Sequence, residues 1–264
     1  MQKPIQGIVL LGSGNVATHL GQAMKAAGLE IMQVYSRTLE AARALAAELG
    51  CDATNRLEDI RPGADLYLLA VADDAISEVA AAFPFEDALV AHTSGSTPMD
   101  ALDAAGNRTG VFYPLQTFSK NVEIDMWQVP LCLETRHEDD LQALEQLAGM
   151  MSHNVQRISS ADRRILHVAA VFACNFTNHM YTLAGDVLES RQLSFDIMGP
   201  LILETTRKAL VSPPPLAQTG PALRHDKKTI HAHNKALEAL PHLQKMYNFI
   251  SQSIQIRHQQ KSRE

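Results

Sequence analysis

Several groups of residues in this chain have types and spacings that suit binding a phosphorylated cofactor and a small polar substrate. Gly12-Ser13-Gly14-Asn15-Val16-Ala17 follows the unbroken apolar run Ile8-Val9-Leu10-Leu11. A glycine turn between a buried strand and a helix points backbone N–H groups and the positive end of the helix dipole at an anion. In that context G-x-G-x-x-A is a dinucleotide-binding fingerprint. Gly12 permits the turn, Gly14 lets a pyrophosphate approach the backbone, and Ala17 lets the helix pack closely on the strand.

The next expected strand, Glu30–Tyr35, ends in Ser36-Arg37-Thr38. An acid at this point usually binds the ribose 2′-OH of NAD, whereas a hydroxyl and an arginine suit the 2′-phosphate of NADP. Residues 35–38 contain no acid, so the cofactor expected is NADP, with NADPH preferred over NADH. Thr38 as a helix N-cap and a solvated Arg37 would be the simpler roles, compatible with this one.

Two further runs, Leu66–Val71 and Ala88–Ala91, end in Ala72-Asp73-Asp74 and His92-Thr93-Ser94-Gly95-Ser96. Ligands of a doubly wound sheet lie outside the carboxyl ends of its strands. Val71, Ala72 and Asp73 should therefore border the ribose and nicotinamide, while Asp74 reads more simply as an N-cap. Ser94 is placed with both cofactor and substrate, and Gly95 with the substrate, because a hydroxyl-bearing loop can hydrogen-bond a carbonyl or carboxylate. Gln116 is a substrate candidate and Lys120 a cleft candidate, both after the strand Thr109–Tyr113. On the apolar stretch that follows residue 160, His167, Cys174, Asn175, Asn178 and Thr182 fall within an arc of roughly 100° at helical spacing. Such a polar stripe should face a cleft or partner helices, and Asn178 joins the substrate candidates.

The elements needed to position these groups follow from periodicity. Helices are expected at Asn15–Ala27, Leu39–Leu49, Ala75–Ala82, Pro98–Ala104 and Glu138–Met151, alternating with short apolar strands, the last at Pro130–Leu133 and Val155–Ile158. This is an α/β pattern with a doubly wound parallel Rossmann sheet. From Ser159 the strand signal disappears and long helices dominate. The expectation is a nucleotide-binding domain over residues 1–158 and an all-helical substrate and dimerisation domain over 159–264.

Composition narrows the function. The chain has 264 residues, 46% of them hydrophobic, a net charge of −6 and three widely separated cysteines. No basic run suggests a nucleic-acid partner, no disulfide or CxxC framework is suggested, and His231-x-His233 alternates around a helix, so no metal site is expected. The start of the chain shows no signal peptide, and a reducing cytoplasmic setting is expected. Residues 165–185 lack Asp, Glu, Lys and Arg and could span a bilayer by length, but His167, Asn175, Asn178 and His179 favour a buried helix or dimer core over a membrane segment.

G-S-G-N-V-A, S-R-T, L-A-V-A-D-D, H-T-S-G-S, G-V-F-Y-P-L-Q-T-F-S-K, A-A-V-F-A-C-N-F-T-N-H and Q-T-G-P-A-x-R occur in this order. Together they resemble, over nearly the whole chain, a family of Rossmann-like NADP oxidoreductases with a C-terminal domain of unknown function. More distantly the layout resembles pyrroline-5-carboxylate reductase, 6-phosphogluconate dehydrogenase and other β-hydroxyacid dehydrogenases. The resemblance implies a dimerising helical domain and hydride transfer between NADP(H) and a small carbonyl, imine or hydroxy compound. In β-hydroxyacid dehydrogenases a catalytic Lys precedes an Asn by four residues. If Asn175 is that Asn, Val171 holds the lysine's place and cannot move a proton. His167 and His92 are then the rival proton donors, with Ser94 and Asn175 orienting the substrate. His167 lies about 12 Å from Asn175 along a regular helix. Two other readings are a non-catalytic NADP(H)-binding sensor or assembly protein, motivated by Val171, and a cleft that takes another nucleotide or pairs NADP with a deazaflavin.

Overall fold

The computed structural model describes residues 4–261. They form two compact units that divide between Cys174 and Asn175.

The first unit is built on an eight-stranded sheet of order β3-β2-β1-β4-β5-β6-β7-β8. Its strands are β1 (Gly7–Leu11), β2 (Glu30–Tyr35), β3 (Asp52–Thr54), β4 (Leu66–Leu69), β5 (Val90–His92), β6 (Thr109–Pro114), β7 (Leu131–Thr135) and β8 (Val155–Arg157). Between them run α1 (Asn15–Ala26), α2 (Leu39–Leu49), α3 (Ile76–Ala81) and α4 (Glu138–Gly149). Every residue of β1 is buried, because both faces of the sheet are covered. Ile8 and Leu10 pack in one core with Leu20 and Met24 of α1, while Val9 and Leu11 enter the other with Ile76 and Val79 of α3. The alternation of a strand thus splits four consecutive apolar residues between two layers.

The chain passes from β1 outward to β2 and β3, then returns to place β4 on the other side of β1. That reversal leaves a crevice at the carboxyl ends of β1 and β4. The sheet departs from the all-parallel expectation at one pair. β7 runs antiparallel to β6, because the loop joining them returns the chain without a crossover helix, and β8 then pairs parallel to β7. The segment expected as a helix at Pro98–Ala104 is a 3-10 turn over Met99–Ala105, and Asp74 lies inside the 3-10 turn Asp73–Ala75 instead of capping α3.

Strands end with β8, but the first unit continues through α5 (Ser160–Ala170), started by the Ser159 side chain accepting from the Asp162 N–H. α5 packs on the sheet's carboxyl edge through Arg163, which is only 1% exposed. Its Nη1 donates to Glu134 Oε2 at 2.6 Å, and its Nη2 donates to the Thr97 carbonyl at 2.6 Å and to Ser160 Oγ at 3.1 Å. Ser160 Oγ in turn donates to the same Glu134 oxygen and accepts from the Met99 N–H. The pattern change at Ser159 and the end of the sheet-bearing unit at Cys174 are therefore different boundaries.

The second unit comprises α6 (Thr177–Glu189), α7 (Gly199–Val211), α8 (Pro214–Ala217), α9 (Lys227–Ala236) and α10 (Pro241–Lys261). A π-helical turn, Val171–Phe176, precedes α6. Its wider winding breaks the constant 100° per residue on which the stripe from His167 to Thr182 was projected. Pairing between α9 and α10 is polar: His233 Nδ1 meets Tyr247 Oη at 2.8 Å, and the Asn234 and Asn248 amides exchange two hydrogen bonds. Among the described residues of this unit only Ala222, Leu237 and Leu243 are fully buried apolar side chains. The stretch 165–185 is not buried in the single chain, since Ile165 is 70% and Phe172 66% exposed. Among the described residues no helix is long and apolar enough to cross a membrane.

Removing the guanidinium while keeping bulk, as in Arg163→Met, strips the Thr97 carbonyl of the Arg163 donor and leaves the Glu134 carboxylate, still held by the Ser160 hydroxyl, without its counter-charge. We expect a loss of about 3 kcal/mol in urea unfolding followed by circular dichroism.

Candidate functional site

The nucleotide turn sits at the crevice between β1 and β4. Gly12 has φ +130°, and a Cβ there would fall 2.1 Å from the Ala70 carbonyl oxygen, so the two strand-end loops touch at a point only glycine permits. Its N–H is tied to the Tyr35 carbonyl at 2.7 Å, and Ser13 Oγ donates to Ser36 Oγ at 2.9 Å, joining the turn to the end of β2. Gly14 has open space where a Cβ would point, and the N-terminus of α1 that it precedes carries neither a side-chain cap nor an acid in its first turn. Free N–H groups beside this open glycine cradle fit a pyrophosphate. Asn15 is at the helix start with its amide donating to the Phe118 carbonyl, and Val16 is half-buried against the core. Arg37 and Thr38 are exposed, and Thr38, although it occupies the N-cap position of α2, makes no capping bond.

Across the crevice Val71 is half-buried and Ala72 exposed, and Asp73 accepts from Ser96 Oγ at 2.6 Å. The loop after β5 is organised from within. Ser94 Oγ accepts from the N–H groups of Ser96 and Thr97 and donates to Thr97 Oγ1. The Ser94 N–H donates to His92 Nδ1 at 3.1 Å, so the neutral ring carries its proton on Nε2, which donates to the Pro98 carbonyl at 3.3 Å. His92 is fully buried, and burial, reinforced by the Arg163 charge, pushes its imidazole down to about 4 despite the Pro98 carbonyl and the Asp73 and Glu134 charges. This corrects the expectation of His92 as a proton donor: it holds the loop and has no free nitrogen.

His167 is in a different situation. It is half-buried on α5, one turn beyond Arg163, and its Nδ1 lies 3.3 Å from Tyr113 Oη at the end of β6. The two rings meet edge-on with centroids 6.3 Å apart. The backbone of Gly95 passes so close that a Cβ there would be 2.7 Å from His167 Nδ1 and 2.8 Å from Tyr113 Cζ. Burial and the neighbouring Cys132 push the Tyr113 phenol up to about 12, partly offset by the Arg163 charge, with Asp73 adding a smaller upward push. Ser94, Gly95, Ser96, Asp73, Tyr113 and His167 are thus gathered at one edge of the sheet. Tyr113 has no signal as a functional residue in the sequence, where it is simply the last aromatic of an apolar strand.

Gln116 is exposed, and its side-chain oxygen accepts from the N–H and hydroxyl of Thr117. Lys120 lines a hollow of about 980 Å³ between α1 and the loop 120–127. Asn175 and Asn178 are exposed residues of the second unit. Among the described residues no cluster of side chains suited to a metal ion occurs.

A mostly parallel sheet with a glycine turn at its switch point, followed by helices, is the architecture of nucleotide-dependent dehydrogenases. Residues 7–93 match the family described as "NADP oxidoreductase coenzyme F420-dependent", and residues 129–254 match a domain of unknown function. A candidate NADP oxidoreductase of Bacteroides fragilis is 42% identical over 95% of this chain and 98% of its own, with a TM-score of 0.89. The chain belongs to this NADP oxidoreductase family, in which the nucleotide-binding domain is joined to that C-terminal domain. A Thermotoga maritima protein shares the fold at 20% identity, over 96% of this chain and 99% of its own, with a TM-score of 0.80. A pyrroline-5-carboxylate reductase of Coxiella burnetii shares it at 18%, over 97% and 98%, with a TM-score of 0.56. No curated protein matches the chain in sequence.

The buried neutral His92 makes stability depend on pH. An unfolded histidine takes up a proton near 6.5, whereas His92 in the fold resists protonation until about pH 4. The unfolded state therefore binds more protons in that window, and stability falls as pH is lowered through it. Denaturation at pH 7 and pH 4 should show wild type losing about 3 kcal/mol more than His92→Asn.

Proposed function

We propose that this protein is an NADP(H)-dependent oxidoreductase acting on a small carbonyl, imine or hydroxy compound. The observation that carries the reading is the uncapped start of α1 beside the open Gly14 cradle, at the switch point of the sheet. Gly12, Ser13, Gly14, Asn15 and Val16 would hold the pyrophosphate. Ser36, Arg37 and Thr38 would hold the 2′-phosphate, which favours NADPH over NADH. Val71, Ala72, Asp73 and Ser94 would border the ribose and nicotinamide. The bound cofactor supplies hydride. The chain's own contribution is to orient the substrate through the loop 94–96 and to exchange a proton at His167, whose ring is reached by neither of the bonds that occupy His92.

The second unit supports a homodimer. Leu203 is 72%, Leu210 82% and Phe249 68% exposed, and large apolar surface left open in this way marks a protein contact. Sedimentation should give twice the chain mass, and a monomer at micromolar concentration would remove this part of the proposal. The unpaired cysteines Cys51, Cys132 and Cys174 fit a reducing compartment such as the cytoplasm.

The first experiment is titration with NADPH and NADH, read by cofactor fluorescence and thermal shift. NADPH should bind more tightly, and Arg37→Ala should lose about tenfold or more in NADPH affinity while leaving NADH unchanged. Failure of both nucleotides to bind would end the proposal. In a panel of carbonyl and imine compounds, His167→Gln should abolish NADPH oxidation while retaining NADPH binding. Tight binding without oxidation of NADPH by any compound in wild type would favour a sensor, the reading to which Val171 in place of a lysine points.

A further inference from the structure

His167 is given a proton-exchanging role above, but an imidazole has two nitrogens, and which one faces the chemistry depends on what holds the other. The contacts around Tyr113 decide this. Tyr113 is buried at the end of β6, and His167 Nδ1 is the hydrogen-bond partner of its phenol. The phenol has a proton to place, and a buried hydroxyl without an acceptor is costly. The ring nitrogen at 3.3 Å is an acceptor only in the tautomer whose proton sits on Nε2. Both rings lie over Gly95 where a side chain would otherwise stand, since a Cβ there would fall 2.7 Å from His167 Nδ1 and 2.9 Å from Tyr113 Oη, so the absence of a side chain at 95 is what lets the phenol and imidazole meet.

We propose that Tyr113 is the positioning residue of this site: its O–H donates to His167 Nδ1, fixes the ring as the Nε2–H tautomer, and backs up the proton that Nε2 delivers. This inference rests on the role given to His167 above. When a substrate oxygen or nitrogen gains negative charge, the Nε2–H bond breaks and the proton goes to that atom. The Tyr113 O–H bond breaks in the same relay and its proton forms a new bond at Nδ1. The imidazole stays neutral throughout, and the negative charge ends on the phenolate oxygen. Burial opposes that ionised phenol most strongly, and the Arg163 charge acts in its favour. The other charged or ionisable groups acting on Tyr113 are Cys132 of β7 and Asp73 in the turn after β4, and both oppose ionisation. A phenolate is a weaker base than a free alkoxide, so the relay runs downhill towards a carbonyl being reduced.

The test is nitrogen-15 NMR of the full-length protein labelled at its histidines, with the His167 signals assigned by their loss in His167→Gln. The expected wild-type spectrum has Nε2 protonated and Nδ1 bare. Tyr113→Phe keeps the ring that packs on Gly95 and removes only the oxygen, and it should return His167 to a mixture of both tautomers without changing NADPH affinity. A wild-type ring protonated at Nδ1, or a tautomer unmoved in Tyr113→Phe, overturns the inference. The wild-type spectrum decides the first point even if the variant fails to fold. Because this readout needs neither cofactor nor substrate, its failure is separate from failure of the oxidoreductase proposal, which would appear as absent NADPH binding or as no oxidation of NADPH by any compound in wild type, and from loss of the His167 role, which would appear as NADPH oxidation that survives His167→Gln.

Discussion

A guanidinium withdrawn almost completely from water holds the site of this protein together. Burying a charge is tolerable only when it is paired and hydrogen-bonded, and Arg163 meets the condition with the Glu134 carboxylate, the Thr97 carbonyl and the Ser160 hydroxyl. Those partners come from the end of β7, the loop after β5 and the first turn of α5. One side chain therefore decides where α5 lies on the sheet. Everything that α5 brings to the site, His167 foremost, inherits its position from that contact.

The same charge separates two histidines that look alike in the sequence. His92 is enclosed, has both nitrogens occupied by its own loop, and is kept neutral by burial and by Arg163. It shapes the turn that carries Ser94 and Gly95. His167 is half-buried and anchored through one nitrogen to Tyr113. Chemical identity was equal; environment gave one ring two hydrogen-bond partners inside its own loop and the other a partner on a neighbouring strand.

The likeness to pyrroline-5-carboxylate reductase extends along the whole chain, yet at 18% identity it speaks for the path of the backbone alone. The chemistry has to come from residues. If Asn175 stands where β-hydroxyacid dehydrogenases have their asparagine, the lysine's place falls to Val171, at the start of a π-helical turn, and the polar groups that meet at the end of β6 are a histidine and a tyrosine.

Local pattern was enough to read the strand, glycine turn and helix at the switch point of the sheet. Ile8 to Leu11, the glycine turn and α1 are contiguous, and their chemistry depends on backbone geometry that Gly12, Gly14 and Ala17 encode within a few residues of one another. The range Glu30–Tyr35 was likewise legible from its own composition. What the chain by itself could not disclose were relations between distant segments. Tyr113 and His167 are 54 residues apart, and nothing in either neighbourhood marks them as a pair. The reversed direction of β7 follows from a connection that returns the chain without a crossover helix, and the burial of His92 from layers contributed by other elements. The helical stripe failed for a related reason: its projection assumed uniform winding, and six residues adopt a wider one. Sequence determined the elements whose physics is local, whereas desolvation, pairing across strands and the protonation of buried groups were decided only when tertiary packing removed water from around them.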